Sequence, residues 1–127
     1  MVADPAWCGY TIDYINWESR GDEGGWTLSV HPTWCGRYYA FASTIWYEIN
    51  NTNAFLKALY STNNPYVVNS LYQQFICHRY GGFYKEYWNL EPWRQSYPWN
   101  YGLMMTPSAV FHLYYNSWGW QCNPPKY

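Results

Sequence analysis

The clearest alternation in the chain is Trp26-Thr27-Leu28-Ser29-Val30-His31, which puts Trp26, Leu28 and Val30 on one face of a strand. Residues 10–17 are also strand-like but apolar on both faces, and residues 18–25 between them have the composition of a glycine-rich turn. Together they predict a hairpin that ends at residues 32–37. Residues 38–49 carry Ala40, Phe41, Thr44, Ile45 and Ile49 at a rough helical period. Residues 50–53 break that helix, and Asn53 is placed to cap a short one over 54–60, with Phe55, Leu56 and Leu59 inward.

Asn64 as N-cap with Pro65 in the first turn starts a longer helix. Its Val68, Leu71, Tyr72 and Phe75 fall at i, i+3, i+4 and i+7, and it is expected to end near Cys77 and His78, ahead of Gly81-Gly82. Residues 83–90 read as a third strand stopped at Pro92. Residues 95–106 are loop-rich, 108–115 form an apolar strand or short helix, and 117–127 are irregular. The expected fold class is α+β: a small antiparallel sheet packed against two or three helices, stapled by two disulfides. One domain is expected over 1–127, with an arm at 1–9, a core over 10–124 and a tail at 125–127.

Composition sharpens this picture. The chain has 127 residues, a net charge of −1 and only 12% charged residues, so it lacks the basic stripe that nucleic-acid binding needs. Aromatic residues make up 24%, including 16 Tyr and 10 Trp, more rings than a core of this size can hold. Some must lie at the surface, where an apolar body with a polar tip is at home. No run of about 18 apolar residues occurs, so no membrane-spanning helix is expected.

The cysteines are Cys8, Cys35, Cys77 and Cys122, an even number without metal-site spacing. Three pairings are possible. Cys8–Cys35 with Cys77–Cys122 is the one expected, because it staples the N-terminal half to itself and ties the C-terminal end to the middle of the chain. Each bridge would contribute about 3–4 kcal/mol in the chain-entropy account. Residues 1–5 lack a signal-peptide pattern, so disulfides here imply a mature secreted domain bearing an added initiator Met.

Candidate chemistry concentrates between Gln74 and Arg94. His78 is a candidate acid or base. Glu91, just before Pro92, is held in an extended backbone and is placed to orient a histidine or to pair with Arg94 or Arg20. Arg20, Arg37, Arg79 and Arg94 would form an anion site if they converged. Trp88, Asn89 and Trp93 are candidates for ligand binding through stacking and hydrogen bonds. Three histidines far apart in sequence (His31, His78 and His112) suggest no metal site, and no cofactor is expected. Nucleophile-elbow, zincin and phosphate-loop motifs are absent from the sequence.

In order along the chain, Trp17-x-x-Arg20, Leu28-x-Val30-x-Pro32-Thr33, Arg37, Trp46-x-Glu48, Gln74-Phe75-x-Cys77-His78, Trp88-Asn89-Leu90-Glu91-Pro92-Trp93-Arg94 and Cys122-Asn123-Pro124 resemble the domain of unknown function family 2599. The resemblance covers roughly residues 12 to 124. It implies a small exported bacterial domain, known mainly from actinobacteria, and implies Cys77–Cys122 as the bridge the family shares. Cys8 and Cys35 look like an addition in this chain, and the aromatic stretch 97–120 departs from the family pattern. No activity comes with the family.

These features lead to two functional expectations. The first is a secreted toxin-like effector, a hydrolase acting on a phosphate-containing or cell-wall substrate, with His78 as acid or base, Glu91 as its orienter, and Arg20 and Arg94 stabilising anionic charge. The alternative is a non-enzymatic extracellular module that recognises glycan or a cell-surface partner through exposed Trp and Tyr.

Overall fold

A computed structural model of the chain describes residues 8–19 and 25–94. Three antiparallel strands, β1 (Ile12–Ser19), β2 (Trp26–Pro32) and β3 (Trp88–Leu90), lie in the order β1-β2-β3. Between β2 and β3 the chain forms α1 (Trp34–Tyr38), α2 (Ala42–Asn50), α3 (Asn53–Leu59) and α4 (Val67–Gly81). The fold is therefore α+β as expected, with four helices among the described residues rather than two or three.

Side chains alternate across the sheet, and the register decides which rows form. Leu28 pairs with Trp17 and Leu90, and Val30 with Ile15 and Trp88. This row packs against Ile45, Ile49, Phe55, Leu71 and Phe75 from the helices. Much of the core is aromatic: Trp46 stacks on Phe75 at 5.3 Å and meets Phe55 and Tyr72 edge-on at 5.5 and 5.1 Å. Thr27 and Ser29, on the opposite face of β2, are buried as well. Trp26 departs from the expected inward row: it is exposed at the end of the strand and stacks on Trp17 at 5.6 Å.

The N-terminal end is tied down twice. Cys8 and Cys35 form the expected disulfide, with Cα atoms 5.5 Å apart. Thr33 caps α1 by accepting from the Gly36 N–H at 3.0 Å, and its hydroxyl donates to the Tyr10 carbonyl at 2.9 Å. Gly36 sits directly against the main-chain oxygen of Thr11, where a Cβ would collide. Cys77 is also disulfide-bonded; its expected partner, Cys122, lies outside the described residues.

The helix expected over 38–49 begins only at Ala42, and α1 occupies residues 34–38, most of which were expected to end the hairpin. The Tyr39 and Ala40 N–H groups both donate to the Cys35 carbonyl at 2.9 Å, which closes α1, and the Phe41 carbonyl then opens α2. Arg79 donates to the Ala40 carbonyl at 3.0 Å, so the break is satisfied from α4. Thr52, not Asn53, caps α3, accepting from the Phe55 N–H at 3.1 Å. Leu56 is 47% exposed, and Ala58 occupies the inward position instead. Asn64 does not cap α4. Its Oδ1 accepts from the Tyr66 N–H at 2.9 Å in an Asx turn, and the helix begins at Val67. The helix also runs past Cys77 and His78 to Gly81, where Gly82 donates to the His78 carbonyl at 2.9 Å.

The third strand is only three residues long because Arg37 takes the carbonyls ahead of it. Its guanidinium donates to Phe83 at 2.9 Å, to Lys85, and to Glu86 at 2.8 Å. Those carbonyls satisfy a side chain rather than a ladder. Residues 1–7 of the arm expected at 1–9, residues 20–24 of the turn expected at 18–25, and everything from 95 onward lie outside the described residues.

Candidate functional site

Three of the residues expected to carry chemistry, His78, Glu91 and Arg94, lie with Gln74 in one seam between α4 and the segment that follows β3. Gln74, fully buried on α4, exchanges two hydrogen bonds with the Glu91 peptide: the Glu91 N–H donates to Oε1 at 2.8 Å, and Nε2 donates to the Glu91 carbonyl at 2.9 Å. Nε2 also donates to Ser70 Oγ at 3.0 Å, and that hydroxyl donates to the Arg94 carbonyl at 2.7 Å. The Glu91 side chain, 0% exposed, accepts from Arg94 Nε–H at 3.0 Å. The guanidinium of Arg94 lies 4.3 Å over the Trp93 ring, and the Trp93 indole donates to the Trp26 carbonyl at 2.9 Å. The expected Glu91–Arg94 pair is thus present; Arg20 lies outside the described residues.

His78 joins this seam through Gln74 alone. Its Nδ1 is 2.8 Å from the Gln74 carbonyl, which can only accept, so Nδ1 carries the proton. The ring is 4% exposed, and burial lowers its pKa from 6.5 to about 4, with Lys85 adding to the shift and the Gln74 hydrogen bond opposing it. His78 is neutral at physiological pH. Gln74 stands between His78 and Glu91, its carbonyl on one and its side-chain amide on the other.

The arginines do not converge. Arg37 clamps residues 83–86, Arg79 reaches Ala40 and lies 5.5 Å over Tyr80, and Arg94 holds Glu91. Burial pulls the Arg79 pKa below its ordinary value. Trp88 was expected as a stacking surface, but it is fully buried, 6.1 Å from Phe75, with its indole donating to the Gly82 carbonyl at 3.2 Å. Asn89 is half-buried opposite Ser29, and Trp93 is half-buried in the seam. Among the described residues no three His, Cys, Asp or Glu side chains gather as metal ligands.

A second cluster, at the surface, was not legible in the sequence. A register shift between Ile12 and Tyr14 brings Tyr14 opposite His31. Their rings stack at 4.7 Å with a 5° interplanar angle. Tyr87 stands edge-on to both, at 6.1 Å from Tyr14 and 5.2 Å from His31, and the two tyrosine hydroxyls are 2.7 Å apart. Asp13 Oδ2 lies 3.2 Å from His31 Nδ1 and orients that ring. The hydrogen bond to Tyr87 raises the Tyr14 pKa to about 12, and desolvation, Tyr87, Glu86 and Asp13 push the same way. Tyr14 is 43% exposed and Tyr87 36% exposed, so rings, hydroxyls and carboxylate meet solvent together. Alternation put His31 at the end of β2, but only the pairing register places Tyr14 and Tyr87 beside it.

Residues 12–104 match the model of a family described as protein of unknown function (DUF2599). The chain belongs to this family. The DUF2599 match begins at β1 and ends at residue 104, short of the 124 expected from the sequence, and so takes in the seam, the Tyr14–His31–Tyr87 cluster and Cys77 but not Cys8 or Cys122. No curated protein and no solved structure matches the chain. In DUF2599 terms, the strings that carried the resemblance, Gln74-Phe75-x-Cys77-His78 and Trp88 to Arg94, are here the two sides of the buried seam.

Proposed function

We propose that this DUF2599 domain is a secreted, non-enzymatic module that binds glycan, with the Tyr14–His31–Tyr87 cluster as its centre. The observation that carries this reading is a division of labour. Gln74, His78, Trp88, Glu91 and Arg94 are committed to buried hydrogen bonds and packing, whereas the Tyr14, His31 and Tyr87 rings are held rigid and partly open, with Asp13 at their edge. Rigid aromatic faces beside oriented polar groups suit sugar rings, which present apolar C–H faces and hydroxyl edges. The disulfide fits an oxidising location, and no helix among the described residues is long and apolar enough to cross a membrane.

A hydrolase built on the seam would need His78 and Glu91 to reach a substrate. Burial and a pKa near 4 make His78 a weak base, and Glu91 is 0% exposed with Arg94 on its carboxylate. The geometry therefore favours the binding module over the toxin-like hydrolase.

The test is binding of the whole chain to a panel of insoluble cell-wall polysaccharides and soluble oligosaccharides, by co-sedimentation and calorimetry. Saturable binding that weakens about tenfold or more in Tyr14→Ala and Tyr87→Ala, with the fold retained, is expected. Failure to bind any member of the panel, or release of reducing ends from one of them, would overturn the proposal.

A further inference from the structure

Beside the aromatic cluster, and sharing Asp13 and Tyr14 with it, a cleft of about 310 Å³ opens between β1 and the C-terminal end of α2. Tyr10 and Tyr14 supply its aromatic walls, and Glu48 and Asn51 line its helical side. Two carboxylates, Asp13 and Glu48, line the cleft, and none of the described residues lining it is Lys, Arg or His.

Among the described residues neither carboxylate is saturated. Both oxygens of Glu48 accept the single Thr11 N–H, at 3.1 and 3.2 Å, and a carboxylate has about four lone-pair sites. Asp13 gives one oxygen to His31. The Thr11 hydroxyl, wholly buried on the residue that Glu48 holds, makes no hydrogen bond. Asn51 is the C-cap of α2, so the negative end of that helix adds to the potential of the two side chains. Among the described residues the fixed charges and the helix dipole at the cleft thus favour a cation, and the tyrosine faces favour it further. A bare divalent ion would need a cage of six or more oxygens, which walls of Tyr10, Ile12 and Ile15 do not provide. A protonated amine on a ring that stacks against tyrosine suits both features.

We infer that the glycan this module recognises carries a free, protonated amine, an amino sugar without its N-acetyl group, and that Glu48 and Asp13 hold the ammonium while Tyr10 and Tyr14 cover the ring. The inference rests on the glycan-binding reading and names the ligand class for it. N-acetylation would remove the charge and place an acetyl group against Glu48.

The experiment compares glucosamine oligomers with N-acetylglucosamine oligomers of equal length, by calorimetry, at a pH where the amine is protonated. The glucosamine oligomer should bind at least about tenfold tighter, and Glu48→Gln should erase most of that preference. Glu48→Gln keeps an oxygen for the Thr11 N–H, and Asp13→Asn, which spares that contact altogether, should reduce the preference by about threefold or more. Equal binding of the two oligomers overturns the amine inference and leaves glycan binding standing. Binding of neither oligomer, with binding to another polysaccharide of the panel, has the same meaning. Only failure across the whole panel removes both.

Discussion

The side-chain amide of Gln74 and the peptide group of Glu91 pair as two rungs of a ladder would, at 2.8 and 2.9 Å, in a site with no solvent exposure. A helix side chain thereby completes the hydrogen bonding of the chain just past β3 and locks the seam on which His78, Glu91 and Arg94 lie. Gln74→Leu would take the acceptor from the buried Glu91 N–H, while the Glu91 carbonyl would keep the Arg94 N–H at 3.2 Å. A stranded buried donor costs about 1–3 kcal/mol, so a loss of that size is expected. Urea denaturation of the two proteins measures it, and a loss below about 1 kcal/mol would show that the pairing is dispensable.

His78 predicts a specific pH dependence. Its pKa is 6.5 in an exposed chain and about 4 in the fold, chiefly because burial disfavours the charged ring. Between those values the unfolded state binds more protons than the native state, so stability falls as pH falls from about 6.5 to about 4. Across the window the loss amounts to about 3 kcal/mol. Urea midpoints measured at several pH values should decline over that range in the native chain, and His78→Gln should flatten the decline. A decline of the same size in His78→Gln would assign it to other groups.

The fold was readable from the sequence because strand alternation and helix period are local signals. Leu28 and Val30 announced their inward face, and Leu71 and Phe75 announced the buried side of α4. Where the sequence misled, a non-local partner had won. The break at Tyr39–Phe41 contains neither glycine nor proline; Arg79, far along the chain on α4, satisfies the Ala40 carbonyl within it. Arg37 cuts β3 short from more than 40 residues away in the chain. The candidate site was harder still. His78, Glu91 and Arg94 are the residue types that catalysis uses, but they are also the types that satisfy a buried main chain, and spacing does not separate the two roles. The Glu91–Arg94 pair was legible because it lies within one turn. Tyr14, His31 and Tyr87 come from three separate segments and meet only through the shifted register of β1.

Gly36 tests how closely α1 must approach the start of β1. Alanine favours a helix over glycine by about 1 kcal/mol, so Gly36→Ala would stabilise an open helix. Here the added methyl meets the main-chain oxygen of Thr11, which accepts from the Thr33 N–H, while the Thr11 N–H is held by the Glu48 carboxylate. The clash should outweigh the propensity and leave a net loss of about 1–3 kcal/mol. Thermal unfolding gives the sign directly: a variant as stable as the native chain, or more so, would mean that Thr11 gives way.

Tyr14 and Tyr87 share one proton bridge at 2.7 Å, with the rings fixed by His31. The bridge stabilises neutral Tyr14 and moves its pKa from the ordinary 10 to about 12, and the Glu86 and Asp13 charges reinforce the shift. Tyr14 therefore keeps its proton through mild alkali, where a free tyrosine has lost it, and its neutral hydroxyl oxygen remains able to accept from a sugar hydroxyl. Ring-carbon NMR of labelled tyrosine, titrated toward high pH, should resolve one residue ionising well after most of the others. In Tyr87→Phe that resonance should move down toward the ordinary value, and glycan affinity should fall with it, because the ring pair loses its fixed hydroxyl geometry. If Tyr14 titrates normally in the native chain, the hydroxyl bridge does not persist in solution, and the rigid centre assigned to this surface is lost with it.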